Sequence, residues 1–243
     1  MNYCIVIPNF NHTIFLDELV SKLVKFNLPI IMVNDASHAQ ATALFRDLAL
    51  KFPLLTVIEH QINQGKGGAV QTGLLAAFKQ GYSHALQVDA DGQHNLDDVE
   101  KLLAESKRFP DALISGKPVY DESIPKSRYY ARNITHFWVW IETLSFKIKD
   151  TMCGYRVYPL APTVGLLQQQ KLGKRMDFDI EVMVRLFWKN IEFKFIDTAV
   201  DYPEHGVSHF RALEDNLLIS WMHTRLFFGM LPRIPQLLLR KLK

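Results

Sequence analysis

Short apolar runs alternate with amphipathic patterns through the first 116 residues of this 243-residue chain. The apolar runs predict strands at 3–7, 29–33, 54–59, 85–88 and 112–115, and the patterns between them predict helices at 12–26, 39–51, 67–79 and 96–107. Strands that alternate with helices favour a mostly parallel sheet covered by helices on both faces. We therefore predict an α/β fold whose ligands bind beyond the carboxyl ends of the strands.

The second half of the chain is less regular. Its patterns predict a helix at 128–146, a turn-rich stretch at 149–162, a helix at 178–188, a strand at 192–196 and a helical region from about residue 213. No segment rich in Gly, Ser or Pro separates two units, and no internal repeat is present. The simplest division is one domain over residues 1–212 with a C-terminal extension over residues 213–243.

Composition excludes several classes of protein. Hydrophobic residues make up 48% of the chain and charged residues 22%, which is typical of a folded domain with a substantial core. The net charge of +3 provides no field for nucleic acid, so no nucleic-acid partner is expected. The two cysteines, Cys4 and Cys153, form neither a disulfide framework nor a metal-binding spacing, which favours a reducing cytoplasmic compartment. The sequence shows no signal peptide and no run of about 18 to 20 apolar residues, so we expect neither a leader nor a membrane span.

Polar clusters follow four successive strands of the predicted sheet. They are Asn-Phe-Asn at 9–11, Asn-Asp-Ala-Ser at 34–37, Asn-Gln-Gly-Lys-Gly-Gly at 63–68 and Asp-Ala-Asp at 89–91. Because the carboxyl ends of parallel strands meet at one edge of the sheet, we expect these clusters to form one site.

The pair Asp89 and Asp91 predicts a site for a hard divalent cation. Residues two apart in extended chain point the same way, and a bend after Asp89 allows the amide of Gln93 to join the two carboxylates. Mg²⁺ and Mn²⁺ prefer such oxygen ligands and keep positions open for phosphate groups. The alternative for an isolated Asp-x-Asp is a solvated acidic loop.

The segment Gly65-Lys66-Gly67-Gly68 opens a predicted helix. A glycine turn at a helix N-terminus gathers free N–H donors that suit anionic groups. Its spacing is too short for a Walker A loop, and no Ser or Thr follows the lysine. The alternative is a tight turn without a ligand.

Five motifs, in this order and spacing, resemble those of the family 2 glycosyltransferases, and most closely those of the dolichyl- or polyprenyl-phosphate sugar synthases. The motifs are I-V-I-P-N-F-N at 5–11, V-N-D-A-S at 33–37, N-Q-G-K-G-G-A at 63–69, D-A-D-G-Q-H at 89–94 and D-T-M-C-G-Y-R at 150–156. The likeness is ordered from about Tyr3 to Arg156 and looser up to Arg211. It implies a GT-A fold, which is a Rossmann-like, mostly parallel sheet flanked by helices. It also implies an inverting transfer of a sugar from a nucleoside-diphosphate sugar.

The resemblance assigns roles to individual residues. Asp89, Asp91 and Gln93 take the metal roles, with Mg²⁺ or Mn²⁺ as the cofactor, and Asp91 is counted as catalytic together with Arg132 and Arg156. The nucleotide-sugar-binding residues that it implies are Pro8, Phe10, Asn11, Asp35, Lys66, Gly67, Asp89, His209 and Arg211. Asp35 would accept a hydrogen bond from a ring N–H of uracil or guanine, although a turn-forming Asn-Asp pair is the alternative. Pro8 is equally suited to ending a strand.

The acceptor implied by the resemblance is a polyprenyl phosphate. A phosphate is already an anion and needs positioning cations more than a base, and Arg128, Arg132 and Arg156 would bind it. The alternative for Arg128 and Arg132 is ordinary surface pairing, since they stand at i and i+4 on a predicted helix. A hydroxyl of a lipid or polysaccharide is the second candidate acceptor, and it would need Asp177 or Asp179 as its base.

One segment departs from the family pattern. The synthases carry Arg-x-x-Gly-x-Ser-Lys, whereas this chain has His209 in the place of the lysine and no matching arginine. His209 or Arg211 is the candidate replacement. The departure keeps one rival open, a catalytically silent nucleotide-sugar-binding or membrane scaffold protein. A nucleotidyltransferase is a further rival, because it also uses a Rossmann-like sheet, a metal and a glycine-rich loop. Its loop would be expected near the first strand, whereas here the loop follows the third.

The C-terminal extension combines an apolar body with basic residues, which suits a membrane surface. We therefore expect a peripheral protein on the inner face of the cytoplasmic membrane. The alternative is a C-terminal helix docked on the core or on a partner.

Overall fold

The computed structural model describes residues 1–119, 126–199 and 211–240, and for residues 126–131 only the helical backbone. The strands are β1 (Tyr3–Asn9), β2 (Ile30–Asn34), β3 (Leu55–Glu59), β4 (His84–Gln87), β5 (Leu113–Val119), β6 (Arg156–Pro159) and β7 (Phe193–Ala199). The helices are α1 (Leu16–Leu23), α2 (Ala39–Lys51), α3 (Lys66–Lys79), α4 (Val99–Arg108), α5 (Lys126–Thr143), α6 (Leu160–Gln169), α7 (Phe178–Trp188), α8 (Ala212–Met230) and α9 (Ile234–Leu239). Single 3-10 turns at 24–26, 96–98 and 231–233 adjoin α1, α4 and α9.

The seven strands form one mixed sheet in the order β3-β2-β1-β4-β6-β5-β7. Strands β1 to β4 run parallel to one another, and β5 runs parallel to β7. The expected α/β fold with a mostly parallel sheet is therefore confirmed. The carboxyl ends of β1, β2, β3 and β4 meet at one edge, as the parallel pairing requires.

Strand β6 runs antiparallel to both of its neighbours, β4 and β5. Because its direction is reversed, the beginning of β6 lies where β4 ends, and Arg156 pairs with Gln87. The turn that precedes β6 therefore reaches the same edge of the sheet as the loop after β4. The turn-rich stretch predicted at 149–162 contains this turn, but it also contains β6 and the start of α6, which the sequence patterns did not predict.

Two hydrophobic clusters cover the two faces of the sheet. One joins Val6 and Ile31 to α3, α6, α7, α8 and α9, and the other joins Ile5 and Ile7 to α1, α2 and α4. Alternate residues of β1 thus face opposite layers, as the two-residue period of a strand requires. The sheet packs closely against α3 because residue 73 is a glycine, and a Cβ there would overlap the side chain of Val6.

The C-terminal helices dock on the domain. Met222, Leu226 and Leu237 are at most 3% exposed and belong to the same hydrophobic cluster as α7. Arg240 donates hydrogen bonds of 2.8 and 2.9 Å to the carbonyl oxygens of Phe187 and Trp188, which end α7. The docked-helix alternative is therefore confirmed for residues 212–240. Within the part of the chain that the structure describes, no helix is both long enough and apolar enough to cross a membrane.

Candidate active site

The loops that follow β1 and β2 are tied together at the edge of the sheet. The backbone N–H of Asn11 donates to Ser37 Oγ (2.9 Å), and Asn11 Oδ1 accepts from the N–H of His38 (2.9 Å). Asn11 adopts a positive φ of 60°, a conformation that asparagine tolerates better than most residues. Helix α1 begins only at Leu16, later than predicted, since the chain first makes this turn, in which Asn9 Oδ1 accepts from the N–H of His12 (3.0 Å).

Asp35 attaches the glycine loop to the end of β2. Its Oδ1 accepts from the backbone N–H of Gln64 (2.8 Å), and its Oδ2 accepts from that of Gly65 (2.8 Å). His60 Nδ1 lies 2.7 Å from Oδ1, and His60 Nε2 lies 2.9 Å from Thr72 Oγ1. Because a carboxylate only accepts, Nδ1 carries the proton in this contact. Asp35 is 1% exposed, and a base contact as predicted would use the remaining acceptor position on Oδ2.

Lys66 bridges two carboxylates at the centre of this edge. Its Nζ lies 2.8 Å from Asp89 Oδ2 and 3.0 Å from Asp179 Oδ2. The glycine loop, the loop after β4 and the first turn of α7 therefore converge on one ammonium group. His94 Nε2 lies 3.6 Å from Asp89 Oδ2, and its ring stacks on Tyr155 at a centroid distance of 4.7 Å.

The charges of this cluster fix its protonation. Burial alone would raise the pKa of Asp89, but the Lys66 ammonium and the contact with His94 together outweigh it and hold the pKa of that carboxyl below its usual range. Burial likewise opposes the charge of Lys66, and the carboxylates of Asp179 and Asp89 overcome it and raise the pKa of the lysine. Asp89 is therefore an anion at neutral pH, which is the state that a cation ligand requires.

Two neighbours shape the pocket around Asp89. Gln87 Nε2 donates to Asp89 Oδ1 (3.1 Å), and Gln87 Oε1 accepts from the hydroxyl of Tyr158 (3.1 Å). Gly154, in the turn before β6, lies so close that a Cβ there would overlap both carboxylate oxygens of Asp89. The reversed direction of β6 thus brings a glycine against the acid at the end of β4.

Arg156 lies beneath the cluster and is 0% exposed. Its guanidinium donates to the carbonyl oxygens of Asp179 (2.8 Å) and Thr151 (2.7 Å). It therefore holds the start of α7 and the turn before β6 in place. Direct contact with an acceptor phosphate, as the sequence predicts for Arg156, would require this network to open.

Asp91 and Gln93 occupy the bend after Asp89. Asp91 Oδ1 accepts from the backbone N–H of Gln93 (3.1 Å), and Gly92 between them has a φ of +73°. All three predicted metal ligands are partly exposed. Among the described residues, no three His, Cys, Asp or Glu side chains form a ready-made metal site. The predicted set contains two acids and one amide, and Lys66 already contacts one of those acids.

A second cation–carboxylate pair lies in the turn before β6. Arg132 Nε donates to Asp150 Oδ2 (2.7 Å), and Asp150 Oδ1 accepts from the backbone N–H groups of Met152 (3.0 Å) and Cys153 (2.8 Å). Burial would raise the pKa of Asp150, but contact with His136 and the charge of Arg132 lower it to about 2. The pair therefore holds the guanidinium of Arg132, on α5, against the turn that precedes β6.

The three acids of the α7 region have different roles. Asp179 contacts Lys66 at the site, whereas Asp177 Oδ1 accepts from the N–H of Arg175 (3.1 Å) in the preceding loop. Glu181 is buried, with its Oε2 accepting from the N–H of Gly173 (2.7 Å) and its Oε1 from Arg185 (2.8 Å). Only Asp179 among these three acids contacts the cluster, so it is the remaining candidate base.

The other predicted site residues either have structural contacts of their own or lie outside the residues that the structure describes. Pro8 is a buried residue inside β1, and the strand continues through it to Asn9. Gly67 is buried, and a Cβ there would overlap Phe178, so packing of α3 against α7 explains this glycine. Arg211 is exposed and pairs with Glu214 (2.8 Å) at the start of α8. Phe10 is half-buried beyond the end of β1. His209 and the side chain of Arg128 lie outside the described residues.

Three contributors to the site were not predicted from the sequence: His60, Gln87 and Gly154. A signal existed for Gln87, because an amide inside an otherwise apolar strand needs a buried partner. The roles of His60 and Gly154 depend on contacts with residues 25 and 65 positions away, Asp35 and Asp89, which no local pattern records.

This fold and this site define a class of protein. A mixed sheet whose parallel strands deliver an acid-x-acid pair and a glycine loop to one edge is the GT-A arrangement of nucleotide-sugar-dependent glycosyltransferases. The chain belongs to glycosyl transferase family 2, because the profile of that family matches residues 4–174.

Curated relatives act on dolichyl phosphate, according to their names. The chain is 26% identical over 221 residues to the dolichyl-phosphate beta-glucosyltransferase of Dictyostelium discoideum, covering 82% of this chain and 66% of that protein. It is 24% identical over 221 residues to the UDP-N-acetylglucosamine–dolichyl-phosphate N-acetylglucosaminyltransferase of Methanococcus voltae, covering 84% of this chain and 87% of that protein. The chain spans slightly less than two thirds of the Dictyostelium relative.

Solved structures share the fold at low sequence identity. Glucosyl-3-phosphoglycerate synthase from Mycobacterium tuberculosis, in complex with phosphoglyceric acid, superposes with a TM-score of 0.67 at 11% identity, covering 94% of this chain and 79% of that one. The mannosyltransferase PcManGT from Pyrobaculum calidifontis, in complex with GDP-Man and Mn²⁺, gives a TM-score of 0.56 at 16% identity. That match covers 84% of this chain and 58% of the mannosyltransferase.

Proposed function

We propose that this protein is an inverting, divalent-metal-dependent glycosyltransferase that moves a sugar from a nucleoside-diphosphate sugar to a polyprenyl phosphate. The observation that carries the proposal is the convergence of Lys66, Asp89 and Asp179 at the carboxyl edge of the parallel strands. The curated relatives, which are named for transfer to dolichyl phosphate, support the choice of acceptor.

The side chains at the bend after β4 fit a hard divalent cation. Asp89, Asp91 and Gln93 offer oxygen donors, and Asp89 is held in its anionic form. Asp179 Oδ1 and both ring nitrogens of His94 are buried without hydrogen-bond partners among the described residues, so the pocket has unused polar capacity. When bound there, Mg²⁺ or Mn²⁺ would neutralise the charge of the donor diphosphate. The Mn²⁺ complex of the Pyrobaculum mannosyltransferase is consistent with this cofactor.

The protein's own groups would bind and orient the donor. Asp35 fixes the glycine loop and directs its remaining acceptor position toward a base, with Phe10 and Asn11 at the same edge. The ammonium of Lys66 is placed to neutralise the charge of a diphosphate in addition to that of Asp89. His209 or Arg211 would supply the charge that the family usually takes from a lysine in the later segment.

The acceptor phosphate would bind beside Arg132. This guanidinium is 16% exposed and is held in place by Asp150, so it is a positioned cation beside which an anion could bind. Arg128, one helical turn earlier on α5, would add a second cation. An anionic phosphate oxygen would attack the anomeric carbon while the bond from that carbon to the nucleoside diphosphate breaks and the diphosphate leaves. The attacking oxygen has no proton to lose, so no base is required. Asp179 favours the second candidate, a hydroxyl acceptor, since it is the acid that could accept a proton at the site.

We also propose that the protein binds the inner face of the cytoplasmic membrane as a peripheral protein. The packed side of α8 is buried, and its opposite side exposes Leu213 (83%), Leu217 (71%) and Trp221 (61%). These residues recur at a spacing of four and form one apolar stripe along the helix. An apolar stripe of this kind on a surface helix suits insertion at the headgroup level of a bilayer.

The test is a transfer assay with a panel of UDP-, GDP- and dTDP-sugars. Each donor is offered with Mg²⁺, Mn²⁺ or EDTA, and with prenyl phosphates or hydroxyl acceptors of the same lipid. We expect metal-dependent transfer to prenyl phosphate with an inverted anomeric product.

Asp91→Ala should lower turnover by more than about 10²-fold with an unchanged Tm, and Asp97→Ala, at an exposed acid nearby, should keep wild-type turnover. Transfer that persists in EDTA would remove the metal role, and transfer only to hydroxyl acceptors would establish the second candidate.

A further inference from the structure

A groove of about 510 Å³ lies between α5 and α8, on the side of the sheet away from α1 and α2. Its volume is within the range of small-molecule sites, about 300 to 1,000 Å³. Large apolar side chains make up much of its wall, and they include Trp138, Met152, Phe227 and Phe228. The groove is therefore large enough for a ligand and predominantly apolar.

The described side chains that line the groove include no Lys, Arg, Asp or Glu. The titratable side chain of the wall is His223, whose Nδ1 lies 2.7 Å from Oε1 of the buried Glu142. The remaining polar side chains of the wall, such as Thr135 and Ser220, are neutral. A wall of this composition suits an apolar ligand and opposes entry of an anionic group.

One end of the groove adjoins the Arg132–Asp150 pair. Thr135 lines the groove and stands three residues after Arg132 on α5, which is about 4.5 Å along the helix axis and on the same face. Met152 lines it from the other side, and its N–H donates to Asp150 Oδ1 (3.0 Å). The guanidinium of Arg132, which Asp150 holds in place, is thus about one helical turn from an apolar groove.

The other end of the groove opens at the surface of α8. Phe228 lines the groove and is 63% exposed, and it continues the apolar stripe of Leu213, Leu217 and Trp221 by seven further residues. An apolar molecule could therefore run from the Arg132 end through the groove to the exposed stripe.

We propose that this groove binds the first isoprenoid units of the acceptor's hydrocarbon chain, with the phosphate at the Arg132 end. The inference rests on the proposed function, since it presupposes a lipid phosphate acceptor. The chemistry of the two ends decides the orientation: the guanidinium binds the anion, and the predominantly apolar wall binds the chain. Chain length thereby becomes a determinant of specificity, because each buried carbon adds to acceptor binding.

The test blocks the groove at a position that tolerates a large side chain. Ser220 lines the groove but is exposed, so Ser220→Trp fills the groove without disturbing the core. The matched control is Ala104→Trp, which adds the same ring at an exposed position of α4, on the other face of the sheet and away from both the groove and the apolar stripe. Both variants and the wild type are assayed in detergent micelles with prenyl phosphates from isopentyl phosphate to undecaprenyl phosphate, so that membrane docking does not contribute.

In the wild type and in Ala104→Trp, kcat/KM should rise with chain length until the groove is filled. Ser220→Trp should lower kcat/KM for undecaprenyl phosphate by at least about tenfold and leave isopentyl phosphate within about twofold. A wild type that does not discriminate by chain length, or a Ser220→Trp variant that retains the rise or loses all acceptors equally, would overturn the proposal.

A failure of the proposed function would look different. If the wild type transfers sugar to no prenyl phosphate of any length, the proposed acceptor is wrong. Binding of undecaprenyl phosphate, followed by fluorescence of Trp138 and the other tryptophans, then decides whether the groove binds the chain. Weakening by Ser220→Trp of at least about tenfold supports the groove, and unchanged binding refutes it. A dimer that dissociates in Ser220→Trp would assign the groove to a second copy of this chain instead.

Discussion

Replacing Gly154 by alanine should disable the site while leaving the fold intact. A Cβ at this position would lie 2.8 Å from Asp89 Oδ1 and closer still to Oδ2, and it would also lie 2.8 Å from Gln87 Nε2. Ordinary contact between such atoms begins at about 3.5 Å, so Asp89 must retreat by about 0.7 Å or more. The hydrogen bond of 3.1 Å from Gln87 would be lost or bent in the process.

A displacement of about 1 Å in a catalytic group can cost about 10²-fold in rate. We therefore expect Gly154→Ala to lower kcat of sugar transfer by about 10²-fold and to raise the Mn²⁺ concentration required for half-maximal turnover. The cost to stability should be small, because Asp89 is partly exposed and lies in the loop after β4 rather than in the hydrophobic core. The assay measures transfer at a series of Mn²⁺ concentrations, and thermal unfolding is followed in parallel.

Gly165→Ala is the matched control. Gly165 lies inside α6, and a Cβ there would meet nothing within 4 Å. Alanine should raise stability by about 0.5 to 1 kcal/mol through its helix propensity and leave turnover unchanged. If Gly154→Ala retains more than about half of wild-type turnover at every Mn²⁺ concentration, the placement of Asp89 against this turn does not matter for the reaction.

Three further outcomes are expected. Leu237→Ala should lower the free energy of unfolding by about 2 to 4 kcal/mol in urea titrations, because this side chain is 3% exposed. Leu239→Ala, at a 63% exposed position, should change that free energy by less than about 0.5 kcal/mol. Equal effects of the two variants would argue against docking of the C-terminal helices on the domain. The pKa of Asp150 is lowered to about 2, so the carboxylate stabilises the fold above its unfolded pKa of about 4 and loses that contribution as pH falls toward 2. The deficit of Asp150→Asn should therefore be roughly 2 kcal/mol and constant from about pH 7 to 5, and it should shrink below about pH 4; a deficit that persists there would contradict the ionised pair. Arg132→Lys keeps the charge but loses the planar guanidinium, so KM for prenyl phosphate should rise about tenfold with an unchanged donor KM, and an unchanged acceptor KM would remove Arg132 from the acceptor site.

Local patterns predicted much of this fold. The bounds of α2 (Ala39–Lys51) and α7 (Phe178–Trp188) are confirmed to the residue, and β3 differs by one residue at its start. These predictions succeed because both the periodicity of each element and the signals for its ends lie within the element or next to it. For example, His38 caps α2 by accepting a hydrogen bond from the N–H of Ala41. Where the first turn is irregular, as in the 3-10 turn before α4, the predicted start was early.

Strand β6 shows where local patterns fail. It has only four residues, ends at Pro159, and leads directly into α6, whose first turn contains Pro162. Prolines at the end of a strand and in the first turn of a helix are compatible with both, yet in sequence they are typical of a loop. The antiparallel direction of β6 is set by its neighbours β4 and β5, and no residue within it encodes that choice.

The sequence predicted the residues that meet at the edge of the sheet, but not the contacts that hold them in place. The order of polar clusters after parallel strands places Asp35, Lys66 and Asp89 at one edge, and the structure confirms that edge. What the sequence could not show is that Arg156 is interior and that Asp179 joins the cluster. Both depend on the position of β6 and α7 relative to β4, which is a tertiary contact.

The insertion of a reversed β6 between β4 and β5 has a consequence for how the chain folds. Strands β1 to β4 can associate early from the first 90 residues, but Asp89 meets Gly154 only after a loop of 65 residues has closed. Enzymatic competence should therefore be the last property to return during refolding. In a stopped-flow experiment, secondary structure would recover first and donor turnover would recover after a lag. Simultaneous recovery of both would show that β6 joins the sheet from the outset.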